Sequence, residues 1–336
     1  MIKEAIQKVV TGNNLTEQEM ISIMKEIMEG NATDAQIGSF ITALRMKGET
    51  VDEITGAARV MREKATVIHA TGKIVVDTCG TGGDGSNTFN VSTATAFVAA
   101  GGGISVAKHG NRSVSSQCGS ADVLVALGVN IDVPPQTVEE CINEIGIGFL
   151  FAPKLHAAMK YAIGPRREIG IRTIFNILGP LTNPAKANVQ VLGVYDSVLT
   201  HTIAETLKNL GSKSAWVVHG EGGLDEISIL GPTLVSELRN GEVKILKITP
   251  EEVGLTRGTL ADIRGGDAKQ NAAIILDILK GHKSAKRDIV LFNAAATFRA
   301  ADMAEDLKQG IALAEESIDS GKAFKKLELL IKKTNS

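Results

Sequence analysis

The segment Asp77-Thr-Cys-Gly-Thr-Gly-Gly-Asp-Gly-Ser-Asn-Thr-Phe-Asn-Val-Ser-Thr93 follows the apolar run Ile74-Val75-Val76 and precedes a second apolar run at 94–100. A strand, a glycine-rich turn and a helix in this order commit the chain to a βα unit, and so to a sheet with parallel strands. Glycine takes φ > 0 at little cost and lets a ligand approach the backbone. N–H groups of such a turn, backed by the dipole of the following helix, suit an anion. The segment reads as a phosphate cradle, with an ordinary flexible loop as the alternative.

The first 65 residues read differently, as helices with clear starts. Thr16-Glu17-Gln18-Glu19, Thr33-Asp34-Ala35-Gln36 and Thr50-Val51-Asp52-Glu53 each fit a capping box. Leu15 and Met20 stand where a hydrophobic staple would, and Met20, Ile23, Met24 and Ile27 share one helical face. Ile37, Phe40, Ile41 and Leu44 do the same before Gly48. From residue 74 short β-branched strands are expected at 74–76, 104–107, 129–131, 147–151, 189–194 and 215–218. Helices are expected between them at 91–100, 121–127, 135–145 and 198–210. Asn240-Gly241 signals a hairpin within 231–248, and helix returns at 267–281 and 301–334. The segment 153–184 breaks the rhythm: a helix, then Gly164-Pro165, Arg166 and Arg167, then the turn signals Gly179-Pro180 and Asn183-Pro184.

The expected fold class is α/β: a small N-terminal helical domain at 1–70 plus a larger α/β domain at 73–152 and 185–336, built on a central, largely parallel but mixed sheet. The stretch 153–184 is expected to return to the helical domain. Of 336 residues 43% are hydrophobic and 22% charged, enough for two domains. A net charge of −2 with 4% aromatics argues against nucleic acid and anionic membranes as partners. Cys79, Cys118 and Cys141 form neither a metal spacing nor a disulfide framework, which suits a reducing cytoplasm. No apolar run is long enough to span a bilayer.

Gly80, Gly82 and Gly85 formally satisfy G-x-G-x-x-G, and Gly80 with Gly85 has Walker A spacing. Ser86 and Asn87 stand where Walker A needs Lys and then Ser or Thr. A dinucleotide site wants an acid after the next strand, where Lys108-His-Gly-Asn-Arg112 occurs instead. Lys108 and Arg112 can pair with phosphoryl oxygens, and Ser113, Ser115 and Ser116 add small donors, the alternative being a solvated basic turn. Ser120 is placed to cap the helix from Ala121. Asp225-Glu226, on the turn after a strand, suits Mg²⁺, which takes one or two carboxylates and leaves the rest to water and phosphate. His109, His156 and His219 read as structural.

Together with Asn90-Val-Ser-Thr93, Gly119-Ser-Ala-Asp-Val-Leu124, Arg172-Thr-Ile-Phe-Asn-Ile-Leu-Gly-Pro-Leu181, Gly222-Gly-Leu-Asp-Glu226 and Gly265-Gly-Asp-Ala268, these motifs closely resemble the anthranilate phosphoribosyltransferase family, over nearly the whole chain. The resemblance implies a nucleoside phosphorylase-like fold and a cytoplasmic homodimer. It implies transfer of phosphoribosyl from 5-phosphoribosyl 1-diphosphate to the amino group of anthranilate, in tryptophan biosynthesis. By position, Gly80, Gly83, Asp84, Thr88, Asn90, Val91, Ser92 and Thr93 would hold the sugar diphosphate, with Lys108, His109, Gly110, Asn111, Arg112, Ser113, Val114, Ser115, Ser116 and Ser120. Gly80, Asn111 and Arg166 would meet anthranilate, and Ser92, Asp225 and Glu226 would serve Mg²⁺, two ions per site. No nucleophile or strong base is implied. The rival readings are a pyrimidine nucleoside phosphorylase on the same architecture and a catalytically silent nucleic-acid binder.

Overall fold

The three capping boxes begin three helices. α1 (Ile2–Val10) leads to α2 (Glu17–Met28), α3 (Asp34–Lys47) and α4 (Val51–Lys64), and Thr16, Thr33 and Thr50 each exchange hydrogen bonds with the residue three positions on. Glu53 does more than cap. Its carboxylate also accepts from Leu15 N at 2.9 Å and pairs with Lys47 at 2.9 Å, tying the start of α2 to α4 inside the bundle. The computed structural model describes residues 1–113 and 117–336.

The α/β part runs β1 (Val75–Gly80), α5 (Val91–Gly101), β2 (Ser105–Gly110), α6 (Ser120–Ala126), α7 (Pro135–Glu140) and β3 (Ile147–Phe151). Next come α8 (Ala152–Leu155), α9 (Lys160–Ile169), α10 (Ile174–Leu181), β4 (Val189–Gly193), α11 (Leu199–Asn209), β5 (Ser214–Gly220), β6 (Thr233–Arg239) and β7 (Glu242–Ile248). The chain closes with α12 (Ala268–Leu279), α13 (Ala285–Ala300), α14 (Leu307–Asp319) and α15 (Lys322–Thr334). Sheet order is β3-β2-β1-β4-β5-β6-β7, parallel from β3 to β5 and antiparallel from β5 to β7. Asn240 and Gly241 have φ of 53° and 78°, as a two-residue hairpin turn of the primed kind requires.

Alternation along the strands separates two cores. Val191, Trp216 and Val218 face α5 and α12–α15, whereas Leu192, Ala215 and Val217 face α10, α11 and the bundle. Ala162 of α9 and Phe175, Ile177 and Leu178 of α10 share that second core with Met20, Phe40 and Ile54. Arg62 Nε donates to Leu181 O and Arg59 Nη2 to Asn209 O, each at 2.7 Å, so α4 satisfies orphan carbonyls at the ends of α10 and α11.

Three local readings change. Residues 129–131 form no strand; Val129 and Ile131 are buried in the connection between α6 and α7, and Asn130 N donates to Thr334 Oγ1 at 3.2 Å. Gly164-Pro165 and Gly179-Pro180 lie inside α9 and α10 rather than ending them. Both prolines are buried, and tertiary packing of these short helices outweighs the missing N–H. α13 lies between the helices expected at 267–281 and 301–334 and has no counterpart among them.

Candidate active site

The crossovers from β1 run outward to β2 and β3, while β4 lies on the other side of β1. In an open parallel sheet this reversal leaves a crevice at the carboxyl ends of β1 and β4. Gly80 and Gly193 are register partners at those ends. A Cβ on Gly80 would strike the Asp225 carboxylate, and one on Gly193 would strike the Asp225 backbone. The loop after β5 therefore sits directly on the strand ends. Asp225 Oδ2 accepts from Gly82 N at 2.7 Å, and Glu226 Oε1 accepts from Ser92 N at 3.1 Å. Asp84 accepts from Ser86 N at 3.1 Å and Ser86 Oγ at 2.6 Å, and its charge acts on Asp225. Lys108 is buried, and its Nζ donates to Thr78 O at 2.5 Å and Ser92 Oγ at 3.2 Å.

The first N–H groups of α5 are already engaged within the chain. Val91 N donates to Phe89 O, Ser92 N to Glu226 and Thr93 N to Asn90 O. The positive helix end is already used to hold a carboxylate of the same chain. The preceding turn differs: Gly82, Gly83 and Gly85 all have φ between 66° and 76°, a conformation that exposes backbone to a ligand.

Asp225 and Glu226 keep partial access to the crevice, yet the surrounding walls push Asp225 up to about 7, with the Asp84 charge adding to desolvation. Desolvation and then Asp225 push Glu226 well above the carboxylate range, while desolvation holds Lys108 below the usual amine range. Asp225 and Glu226, with the Asp84 charge beside them and Lys108 nearby, present an oxygen-only pair that fits a hard divalent cation. Among the described residues no group of three or more His, Cys, Asp or Glu is placed to hold a metal ion, so protein donors alone would supply at most part of a coordination shell. That suits Mg²⁺, which keeps waters and substrate phosphates in its shell.

Successive residues of β2 point to opposite faces. Lys108 faces the crevice, whereas the His109 ring lies on the far side. His109 Nδ1 donates to Gly179 O at 3.2 Å, so its Nε2 accepts from His156 Nε2, also at 3.2 Å. Burial keeps both rings neutral, down to about 3 for His109 and about 4 for His156. Below pH 6.5 the unfolded chain takes up protons that the folded rings refuse, so this contribution is complete above 6.5 and drains as pH falls toward 4. His156→Gln keeps a donor but removes one titrating ring. It should flatten the pH dependence of Tm across that window relative to the parent; an unchanged slope would contradict this pairing.

Arg112 Nη1 pairs with Asp122 Oδ1 at 2.9 Å, and Asn111 Oδ1 accepts from Arg112 N at 2.7 Å. Ser120 is the first residue of α6 rather than its cap, and its Oγ donates to Asn111 O at 3.3 Å. Asp122 takes the capping role, accepting from Gly119 N at 2.9 Å and Ser113 N at 3.0 Å. A side chain at Gly110 would strike Ser120 Oγ and the Phe149 ring. Asn90 donates to Cys118 O at 3.1 Å, and Thr88 forms an isolated bridge with Arg264. Val114, Ser115 and Ser116 lie outside the described residues. Arg166, in the last turn of α9, is half-buried with its guanidinium 5.1 Å from the Phe175 ring centre, and among the described residues no carboxylate pairs with it.

Residues 72–324 match the glycosyl transferase family, a/b domain, and residues 3–65 match the glycosyl transferase family, helical bundle domain. Anthranilate phosphoribosyltransferase of Geobacter sp. (strain M21) is 57% identical over 349 residues, covering 100% of this chain and 99% of that relative. This chain belongs to the anthranilate phosphoribosyltransferase family. Among solved anthranilate phosphoribosyltransferases, that of Thermus thermophilus matches with a TM-score of 0.94 at 44% identity, over 99% of each chain. That of Saccharomyces cerevisiae in complex with PRPP and Mg matches with 0.89 at 30% identity, over 99% of this chain and 98% of the other.

In this anthranilate phosphoribosyltransferase framework three supporting residues were given no role from sequence. Arg172 donates to Gly83 O and stacks 4.3 Å over the Tyr195 ring centre, bracing the glycine turn. Buried Asn271 donates to Asn90 Oδ1 at 3.0 Å and accepts from Gly266 N at 2.8 Å, joining the Gly265-Gly266 turn to α5. Gly193 is the floor under Asp225. Arg172 opens the Arg172–Leu181 motif, whereas no local pattern marks Asn271 or Gly193. No helix among the described residues is long and apolar enough to cross a membrane.

Proposed function

We propose that this chain transfers the phosphoribosyl group of 5-phosphoribosyl 1-diphosphate to the amino group of anthranilate, giving N-(5-phosphoribosyl)anthranilate and diphosphate in tryptophan biosynthesis. The observation that carries this reading is the crevice at the ends of β1 and β4, where Asp225 and Glu226 lie near Lys108 and the Asp84 charge beneath a glycine turn. Family membership supplies the substrates.

Asp225 and Glu226, with the Ser92 hydroxyl, would hold Mg²⁺, which when bound supplies charge opposing that on the departing diphosphate. Residues 80–93 and Lys108 would hold the diphosphate, with residues 110–116 and Ser120 completing the sugar site. Asp84 fixes the turn through Ser86 while adding negative charge beside Asp225. Arg166, Asn111 and Gly80 would meet anthranilate. The aromatic amine is uncharged at neutral pH, so orientation can replace a strong base. The same reading extends, on family membership alone, to a cytoplasmic homodimer with two Mg²⁺ ions per site.

Arg166→Ala should raise the anthranilate KM at least about tenfold, the scale of a lost hydrogen bond to a charged group, with little change for the sugar diphosphate. Equal effects on the two KM values would count against its role. Phosphorolysis of thymidine by inorganic phosphate would overturn the reading in favour of a nucleoside phosphorylase.

A further inference from the structure

We propose that Asn293, deep in α13, is a positioning residue that sets the placement of the Asp225–Glu226 pair and thereby the affinity of the site for its divalent cation. This rests on the metal assignment above. Asn293 Oδ1 accepts from Ile227 N at 3.0 Å, and its Nδ2 donates to Ile227 O at 2.9 Å and to Ile289 O at 2.8 Å. The amide thus grips the peptide groups on both sides of Ile227 as a neighbouring strand would. Both donor hydrogens are used, and the pairing fixes the amide's orientation. Asn293 is 1% exposed and Ile227 is fully buried, so neither has water as an alternative partner.

Rigidity of the anchor follows from its helix. Ile289, Val290, Phe292, Ala294, Ala295, Ala296 and Phe298 of α13 are all fully buried, and α13 packs against α5, α14, β4 and β5. Glu226 immediately precedes the gripped residue and reaches Ser92 N, while Asp225, one residue earlier, reaches Gly82 N. On the opposite side the Asp225 backbone rests on Gly193. The acid pair is therefore held between the strand ends and a clamp in the core. Close carboxylates repel one another, so without the clamp the loop can relax and separate them. Groups that orient metal ligands without touching the metal commonly change affinity about 10–100-fold.

The test is binding of Mn²⁺ alone, followed through the paramagnetic resonance of the free ion, on the full chain. Asn293→Leu should weaken binding about tenfold or more. Asn293→Asp, held protonated by burial against the Ile227 and Ile289 carbonyls, keeps the acceptor and one donor and should show a smaller loss, with its rate restored by raised Mg²⁺. Thr297→Val is the control: Thr297 Oγ1 donates to Asn293 O at 2.8 Å one turn along the same helix, so this variant perturbs α13 without removing the clamp. It should lower Tm and leave Mn²⁺ affinity unchanged. If Asn293→Leu does not fold, the Asp variant decides. Parent-like Mn²⁺ affinity in a folded Asn293 variant would overturn the clamp if Asp225→Asn with Glu226→Gln still loses the ion. Parent-like affinity in that acid-pair variant too would overturn the metal assignment itself.

Discussion

Asp225→Asn combined with Glu226→Gln is expected to lower kcat about 10³-fold, the scale at which fixed electrostatic stabilisation of a developing charge is lost. The same variant is expected to be more stable than its parent in the absence of divalent cation at about pH 8. The sign follows from linkage. Asp225 titrates at about 7 in the folded chain against an ordinary 3.8, so the folded state holds its proton more tightly than the unfolded state does. There is no cost below pH 3.8, and stability is lost progressively as pH rises through 7. Glu226 shifts in the same direction. Solvent at the partly open crevice screens the repulsion, so the gain in Tm should be modest, about 2–4 °C. A bound divalent cation should stabilise the parent and leave the variant's melting unchanged. Thermal melts at about pH 5 and 8, with and without Mg²⁺, read all of this. An unaltered Mg²⁺ titration would remove both residues from the site.

Gly193→Ala is expected to lower activity about 10²-fold, because small displacements of reacting groups carry penalties of that size. It should also destabilise the fold by about 1–3 kcal/mol, as added methyl groups in filled space do. The new Cβ has nowhere to go except into the Asp225 backbone, so the loop must lift from the ends of β1 and β4. Gly38→Ala provides the comparison. Gly38 sits within α3, where the added methyl makes only an ordinary contact, 3.7 Å from Ile169 Cγ2. Helix propensity then favours alanine, and both activity and stability should hold or improve. Parent-like activity in Gly193→Ala would show that the Asp225 loop is not fixed by its floor.

What could be read from sequence divides along the range of the interaction. The three Thr-led boxes span four residues each and were readable because both partners are local. The strands expected at 147–151 and 189–194 were readable as short runs bounded by turns, and they match β3 and, one residue shorter, β4. α13 was not, because burial on nearly every face leaves no polar side and so no period to detect. The run at 129–131 imitates a strand, but its apolar residues are covered by helices instead of being paired. In the site, Lys108, Asp225 and Glu226 stand in motifs whose composition reports their chemistry. Their arrangement does not follow from composition. Gly82 N meets Asp225 across 143 positions of chain, Ser92 N meets Glu226 across 134, and Asn293 meets Ile227 across 66. Such pairings are set only when the sheet order closes.

The central claim is that the crevice above β1 and β4 transfers phosphoribosyl to anthranilate with metal assistance. Anthranilate fluorescence reports this directly. Mixed with 5-phosphoribosyl 1-diphosphate and Mg²⁺, the protein should extinguish that fluorescence while releasing one diphosphate for each anthranilate consumed, and removal of Mg²⁺ should stop both. Steady fluorescence with both substrates and metal present, or decay without diphosphate release, would contradict it.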